Sequence, residues 1–402
     1  VIELDQRIQA GCTGEVVALV DIDQFAATND ILGHHYGDAL LAATAQRLRV
    51  LFDSSVYVAR VAGDAFALAG PARLLDSASI HRLFAHPFLI DDIDHAVSVC
   101  LGIAPLDGCA NGQDVLKNAY VALRRAKALG IGQSLTFSPD IGQAARERTT
   151  LLRDLRQAFE RRELSIVYQP QIDLSTGKII GAEALLRWKH PSGEFIPPDR
   201  FIPIAEQSGL IVAMGRWLLP EALRTLKRFQ QAGFEHLRMA VNVSSIQLRQ
   251  PSFLDFVNET LAETGTSPNF LELEITESIA LEGLEAMIAL LTSLRSQGIR
   301  IAIDDFGTGY SSLNYLERLP IDHLKIDRSF VLSLAASERG ARIVRTIAML
   351  GAELNVKTVA EGVENQGIGD QLRDFGCDAA QGYHYAYPME EAEFLRWLKE
   401  HA

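Results

Sequence analysis

Cysteine is sparse in this chain of 402 residues, and the four present, Cys12, Cys100, Cys109 and Cys377, share no metal-ligand spacing. That excludes a cysteine-built zinc module. The residues read as free thiols of a reducing cytoplasm, with disulfides the less favoured alternative. Long apolar runs are missing too: none reaches the roughly 18–20 residues that span a bilayer. The opening residues lack the pattern of a signal peptide. Excess positive charge is absent, the net charge being −13. This argues against a general nucleic-acid coat and against DNA as a partner, but leaves room for a small anionic ligand held by local cations or metals. What is present is a length suited to two domains and the apolar and charged fractions of a globular protein. The first ten residues read as a helix already under way, so a sensor or membrane region is expected upstream.

The most telling stretch is Asp304-Asp305-Phe306-Gly307-Thr308-Gly309-Tyr310-Ser311-Ser312-Leu313. An apolar run, Ile299-Arg300-Ile301-Ala302-Ile303, leads into it as a buried strand. Adjacent carboxylates repel unless a cation or a proton lies between them, so metal binding is the economical reading. A surface Asp-Asp turn punctuated by glycines is the bland one.

Up to about Pro139, strand-like runs at 16–20, 56–60, 66–69 and 96–104 alternate with helical stretches, one following Asp23 through Leu51 and one over 114–129. That alternation indicates one α/β domain. The segment resembles the GGDEF family of diguanylate cyclases through Asp21-Ile22-Asp23-Gln24-Phe25, Asn29-Asp30, Gly33-His34, Gly37-Asp38 and Leu40-Leu41. The resemblance implies that Asn29 and Asp38 read guanine, that Asp21 is a metal carboxylate and that Lys127 contacts a phosphate. The signature turn reads Ala62-Gly63-Asp64-Ala65-Phe66, so Ala65 replaces one carboxylate of the family's acidic pair. A methyl group neither ligates a cation nor accepts a proton, and cyclase activity is not expected. Ile131 stands where the family carries an arginine, and Asp53-Ser54-Ser55-Val56 does not match its product-inhibition motif. Two readings stay open: a GTP-binding regulatory domain without catalysis, or a relic that packs and dimerises.

A polar stretch then leads into Leu151, Leu152, Leu155, Ala158 and Phe159, spaced as one face of a helix. The expected organisation is a first domain over 1–139, a connecting helix over 140–162 and a second domain over 163–402.

In the second domain, strand-like runs at 166–168, 178–186, 238–243, 270–275, 299–303, 321–326, 356–360 and 378–383 alternate with helical patterns at 217–231, 253–264, 281–297, 340–354 and 366–375. Seven or eight such alternations indicate a (β/α)8 barrel. Polar residues recur along these strands: Glu183, Asn242, Glu274, Asp304 with Asp305, Lys325 and Glu361. In such barrels the carboxyl ends of the strands gather at one mouth. A ring of carboxylates there requires cations, and an oxygen donor set favours Mg²⁺ or Mn²⁺ over zinc. Glu272, on the same pleat face as Glu274, is expected to be a buried support for that mouth.

These residues also resemble the EAL family of cyclic di-GMP phosphodiesterases. Tyr168-Gln169-Pro170, Glu183-Ala184-Leu185-Leu186-Arg187-Trp188, Asn242-Val243-Ser244, Glu274-Ile275-Thr276-Glu277-Ser278, the Asp304 stretch, Lys325-Ile326-Asp327, Glu361-Gly362-Val363-Glu364 and Gln381-Gly382-Tyr383 stand in the family's order. The resemblance implies two metal ions, one held by Glu183, Asn242, Glu274 and Asp304, and a second by Asp304, Asp305 and Glu361. It implies that Lys325 orients the attacking water, that Arg187 grips a substrate phosphate and that Gln169 and Gln381 position substrate or water. Glu277 would anchor the loop after Phe306, which in this family links dimerisation to metal binding, and Glu364 would support the site. His384 departs from the family's usual apolar residue and reads as a solvated or packed side chain. The implied function is metal-dependent opening of cyclic di-GMP to linear 5′-pGpG by a homodimer, in the cytoplasm or in the cytoplasmic part of a larger bacterial protein. A receptor that binds cyclic di-GMP without cutting it is the alternative.

Overall fold

The computed structural model describes residues 1–52, 55–277, 284–307 and 316–401. Ser278, Thr308 to Leu313 and the start of the helix expected at 281 lie outside them, as do Asp53 and Ser54. The chain divides into two compact units, Val1–Thr150 and Leu151–Ala402, and the helix Pro139–Glu160 contains the dividing point.

The first unit is built on strand β1 (Glu15–Ile22), whose Val-Val-Ala-Leu-Val run is buried on both faces. Alternation sends Val16, Ala18, Val20 and Ile22 to one apolar cluster and Val17 and Leu19 to another. Strands β2 (Tyr57–Ala62), β3 (Ala65–Pro71), β6 (Val99–Pro105) and β7 (Ser134–Thr136) complete a sheet of order β2-β3-β1-β6-β7, beside a separate hairpin of β4 (Phe88–Ile90) and β5 (Ile93–His95). Helix His34–Phe52 supplies Leu40, Leu41 and Leu48 to one cluster, and helix Gly112–Leu129 supplies Val115, Ala119 and Leu123 to the other. Gly102 lets that second helix approach the sheet: a Cβ there would lie 2.3 Å from the Ala119 carbonyl oxygen.

The second unit is a closed eight-stranded barrel. Its strands are β8 (Leu164–Asp173), β9 (Ile179–Lys189), β11 (Arg238–Asn242), β12 (Leu271–Thr276), β13 (Arg300–Phe306), β14 (His323–Ile326), β15 (Lys357–Ala360) and β16 (Ala379–Ala380), and β8 pairs with β9 to close the ring. A short strand, β10 (Phe195–Ile196), extends β9 outside the barrel. One feature differs from a regular (β/α)8 barrel: β8 runs antiparallel to both β9 and β16, while the other neighbours are parallel. Only residues 174–178 join β8 to β9, enough for a hairpin and too few for the crossover a parallel pair needs.

Alternation, regular as far as Asp304 in β13, divides the barrel strands into two faces. Leu271, Leu273 and Ile275, Ile301 and Ile303, Leu324 and Ile326, and Met239 and Val241 join the main apolar core. The residues between them belong to the opposite pleat face, toward the barrel axis. They form two polar layers. At the carboxyl ends of the parallel strands stand Glu183, Asn242, Glu274, Asp304 and Lys325, with Gln169 paired in register opposite Glu183 on β8. At the amino ends stand Arg238, Glu272, Arg300, His323 and Lys357, with Gln171 opposite Gly181.

Candidate active site

Lys325 is the centre of the carboxyl-end layer. It is fully buried, which for a lysine requires compensation. Its Nζ lies 2.7 Å from Glu274 Oε2, 2.7 Å from Glu361 Oε1, 3.1 Å from Asp304 Oδ1 and 3.7 Å from Glu183 Oε1. Burial alone would depress the ammonium pKa. The charges of Asp304, Glu183, Glu274 and Glu361 outweigh it and hold Lys325 well above the ordinary lysine range.

Four carboxylates share that one cation, and their protonation reflects it. Burial and then the charge of Glu183 push Glu274 well above the usual carboxylate range. Burial, followed by the charge of Asp304 working against Lys325, lifts Glu361 to about 8. Burial also pushes Glu183 upward, but Lys325 and the surrounding hydrogen bonds bring it below its ordinary value. Glu183 is held on both oxygens: Asn242 Nδ2 donates to Oε1 at 2.6 Å and Gln381 Nε2 to Oε2 at 2.7 Å. Gln381 Nε2 also donates to Gln169 Oε1 at 2.9 Å, and Gln169 Nε2 donates to the Ala386 carbonyl at 3.1 Å.

Asp304 and Asp305 reach the mouth together because β13 is irregular. On a regular strand, neighbours project to opposite faces. Here the register with β14 shifts between Ile303 and Phe306, and Asp305 adopts φ +54°. The bulge re-aims the second carboxylate, so that ligand atoms of Asp304, Asp305 and Glu361 all lie within 4.8 Å of one another. Burial and then the charge of Asp304 raise Asp305 to about 6. Immediately after, the Gly307 N–H donates to Glu277 Oε2 at 2.9 Å. Glu277 thus grips the first residue of the loop, and the rest of the expected anchorage falls outside the described residues.

The arrangement fits divalent cations. The donors are oxygens, and among the described residues Glu274 Oε1 is buried without a hydrogen-bond partner. A carboxylate oxygen in that condition is costly unless a cation or proton meets it.

Two cavities meet at the cluster. One of about 310 Å³ is lined by Gln169, Glu183, Asp304, Glu361, Gln381 and, nearer solvent, Glu364. Arg328 and Tyr383 line it as well, and Arg328 Nη2 donates to Glu364 Oε1 at 2.7 Å. Arg328 was not singled out in the sequence; its place directly after Asp327 at the end of β14 was the available signal. The other cavity, of about 370 Å³, shares Asn242 and Asp304 with the first and is lined by Arg187, Glu206 and Asp305. Arg187 is half-buried, and burial lowers its pKa. Among the described residues its Nη1 donates only to the Leu186 carbonyl, at 2.8 Å. Glu272 is buried, but its partner is elsewhere: His323 Nδ1 lies 2.6 Å from Glu272 Oε2, in the layer at the opposite end of the barrel. His384 is exposed, edge-on to Tyr385.

In the first unit, Lys127 Nζ lies 2.5 Å from Asp21 Oδ1. Burial raises the Asp21 pKa against the pull of Lys127. Ala65 pairs with Asp21 across the sheet, so its methyl group stands beside that carboxylate. Asn29 carries a buried Oδ1 without a partner among the described residues, and Asp38 is exposed on the next helix.

The EAL domain family matches residues 152–388. The chain belongs to this family. Ahead of the EAL domain, residues 3–133 match the family described as diguanylate cyclase, GGDEF domain. The bifunctional diguanylate cyclase/cyclic di-GMP phosphodiesterase MucR of Pseudomonas aeruginosa is 40% identical over 402 residues, covering 98% of this chain and 58% of that protein. The cyclic di-GMP phosphodiesterase NbdA of the same organism is 38% identical, covering 95% and 50%. The chain therefore spans about half the length of these curated relatives. A solved structure described as the PaMucR phosphodiesterase in complex with c-di-GMP is 44% identical, with a TM-score of 0.59, covering 61% of this chain and 99% of that one.

Proposed function

We propose that the EAL domain hydrolyses cyclic di-GMP to linear 5′-pGpG and that Glu183, Asn242, Glu274, Asp304, Asp305 and Glu361 hold two Mg²⁺ or Mn²⁺ ions for that reaction. The observation that carries the reading is the cluster of four carboxylates around Lys325 with Glu274 Oε1 left without a partner. The relatives MucR and NbdA and the c-di-GMP complex support the choice of substrate.

Bound divalent ions supply a strongly nucleophilic water at neutral pH and relieve charge on the phosphate. Lys325, kept cationic by its four neighbours, holds and orients the attacking water through its ammonium hydrogens. Water oxygen bonds to phosphorus as the bond to the 3′ oxygen breaks, leaving a 5′-phosphate and a free 3′ hydroxyl. Arg187, on the wall of the second cavity, presents an available guanidinium fork to the growing negative charge. Gln381 and Gln169 form a relay that fixes Glu183 and the floor of the cleft.

The GGDEF domain acts in this proposal as a GTP-binding regulator without cyclase chemistry, using Asn29 and Asp38 for guanine and Asp21 and Lys127 on the phosphate side. Ala65 beside Asp21 removes a carboxylate where catalysis would need one. A homodimer and a cytoplasmic location belong to the same proposal; no described helix is long and apolar enough to cross a membrane.

The test is turnover of cyclic di-GMP by the full chain, compared with Asp304→Asn and Glu183→Ala. Loss of at least two orders of magnitude in each, with cyclic di-GMP still bound, is expected. Near-normal turnover in either variant would refute the assignment, and no turnover in the unsubstituted chain despite tight binding would favour the receptor reading.

A further inference from the structure

The amino-end layer of the barrel has no role in the chemistry above, yet it is built like a site. Arg238, Arg300, His323 and Lys357 are the first residues of β11, β13, β14 and β15, so the parallel topology brings them to one end. They line a cavity of about 540 Å³, which continues into a recess of about 80 Å³ between the strands. A volume of this order suits a mononucleotide-sized ligand.

Apart from His323, the basic residues there are not hydrogen-bonded to the acids beside them. Asp322 receives Arg295 Nε at 2.9 Å on one oxygen and the Ile301 N–H at 3.0 Å on the other. Asp378 Oδ2 accepts the Thr358 N–H at 2.8 Å, and Glu272 is taken by His323. Arg238, Arg300 and Lys357 make no side-chain hydrogen bond or ion pair with any described residue. Burial and then the like charge of Arg300 lower the Arg238 pKa against the pull of Glu272, a cost an anion would relieve further. An independent observation comes from the recess. Gln171 is 7% exposed and lines it, and its Nε2 is a buried donor without an acceptor among the described residues. Unpaired guanidinium forks beside an unfilled amide donor call for a ligand rich in acceptor oxygens, and a phosphate group matches forks of this kind with paired hydrogen bonds.

We propose that this end of the barrel is a second ligand site that binds a phosphate-bearing anion through Arg238, Arg300 and Lys357, with Gln171 at its inner wall. The site lies at the opposite end of the strands from the carboxylate mouth, so its occupant is a regulator or a stabiliser rather than a substrate.

The experiment is calorimetric titration of the full chain, in EDTA so that no metal-held phosphate forms at the mouth, at fixed ionic strength. The probes are inorganic phosphate and GMP. Saturable binding is expected, weakened about tenfold or more by Arg238→Gln and by Arg300→Gln, since a hydrogen bond to a charged group contributes on that scale. Binding of GMP tighter than that of phosphate, and weakened like it by Arg238→Gln, identifies a nucleotide phosphate as the source, and equal binding identifies the free anion. Lys357→Gln, at an exposed position, gives the same weakening without a folding risk. No saturable heat with either probe, or binding that survives Arg238→Gln and Lys357→Gln unchanged, overturns the site.

Discussion

Replacing Lys325 by methionine removes the only side-chain cation in contact, among the described residues, with the buried carboxylates of Glu183, Glu274 and Asp304 and the partly exposed one of Glu361. Breaking a buried ion pair by deleting one partner costs about 3–5 kcal/mol, because the remaining charge is left uncompensated. For a unit of this size, each kcal/mol shifts the melting temperature by roughly 2–4 °C. The EAL unit of Lys325→Met should therefore melt roughly 6–20 °C lower than the unsubstituted protein in EDTA at neutral pH. The loss should depend on pH with a definite sign. Lys325 has a raised pKa, so its contribution is fully present below the ordinary lysine range and is not lost until pH rises through the folded value. The carboxylates left behind can be neutralised by protons, so the deficit should shrink on acidification toward pH ~5 and grow toward pH ~8. Saturating Mg²⁺ should recover part of it by supplying positive charge to the same oxygens. Thermal unfolding of both proteins across pH, with EDTA and with Mg²⁺, makes the measurement. Equal melting temperatures in EDTA at pH ~8 would refute the view of Lys325 as the charge that holds the metal-free mouth together.

Three further outcomes follow from the same geometry. In metal-free protein, Glu361 titrates near 8 against an ordinary value of 4.5, so the folded state holds the extra proton between the two; stability should fall as pH rises through that window, by up to about 1.4 kcal/mol per unit, while Mg²⁺ affinity rises, and a flat melting profile in EDTA would contradict this. Gly382→Ala places a Cβ 2.2 Å from the Val363 nitrogen and carbonyl oxygen, next to Gln381; it should cost about 1–3 kcal/mol by overpacking and lower kcat through Gln381, read by melting and by turnover, with unaltered kinetics counting against the Gln381–Glu183 contact. If the GGDEF domain binds GTP as a regulator, GTP titration should change KM or kcat for cyclic di-GMP and Lys127→Ala should abolish the change, whereas indifference of both constants to GTP would sink the regulatory role.

Much of the barrel was readable because most of its strands carry a polar residue at a position where a core would place an apolar one. Glu274 on Leu-Glu-Leu-Glu and Lys325 on Leu-Lys-Ile-Asp follow directly from alternation, and both emerge on the axial face. Alternation by itself does not account for the adjacent pair. It gives Asp304 and Asp305 opposite faces, and only the bulge in β13 with the positive φ of Asp305 brings them to one mouth. The antiparallel setting of β8 was hidden because the expected runs 166–168 and 178–186 leave a longer gap, whereas β8 runs on to Asp173 and only residues 174–178 remain for a hairpin. Glu272 was assigned to the wrong end because two residues along a strand is a rise of roughly 6–7 Å, enough to move a side chain from one layer of the lumen to the next. Its partner His323 is 51 residues away, a pairing set by closure of the sheet rather than by any local pattern.

The most direct test of the central claim is product formation from cyclic di-GMP by the full chain, with Mg²⁺ and then with EDTA. The account predicts linear 5′-pGpG with Mg²⁺, its disappearance on chelation and its return when Mg²⁺ is restored. Turnover that persists unchanged in EDTA, or cyclic di-GMP that is bound and never opened in Mg²⁺ or Mn²⁺, would contradict it.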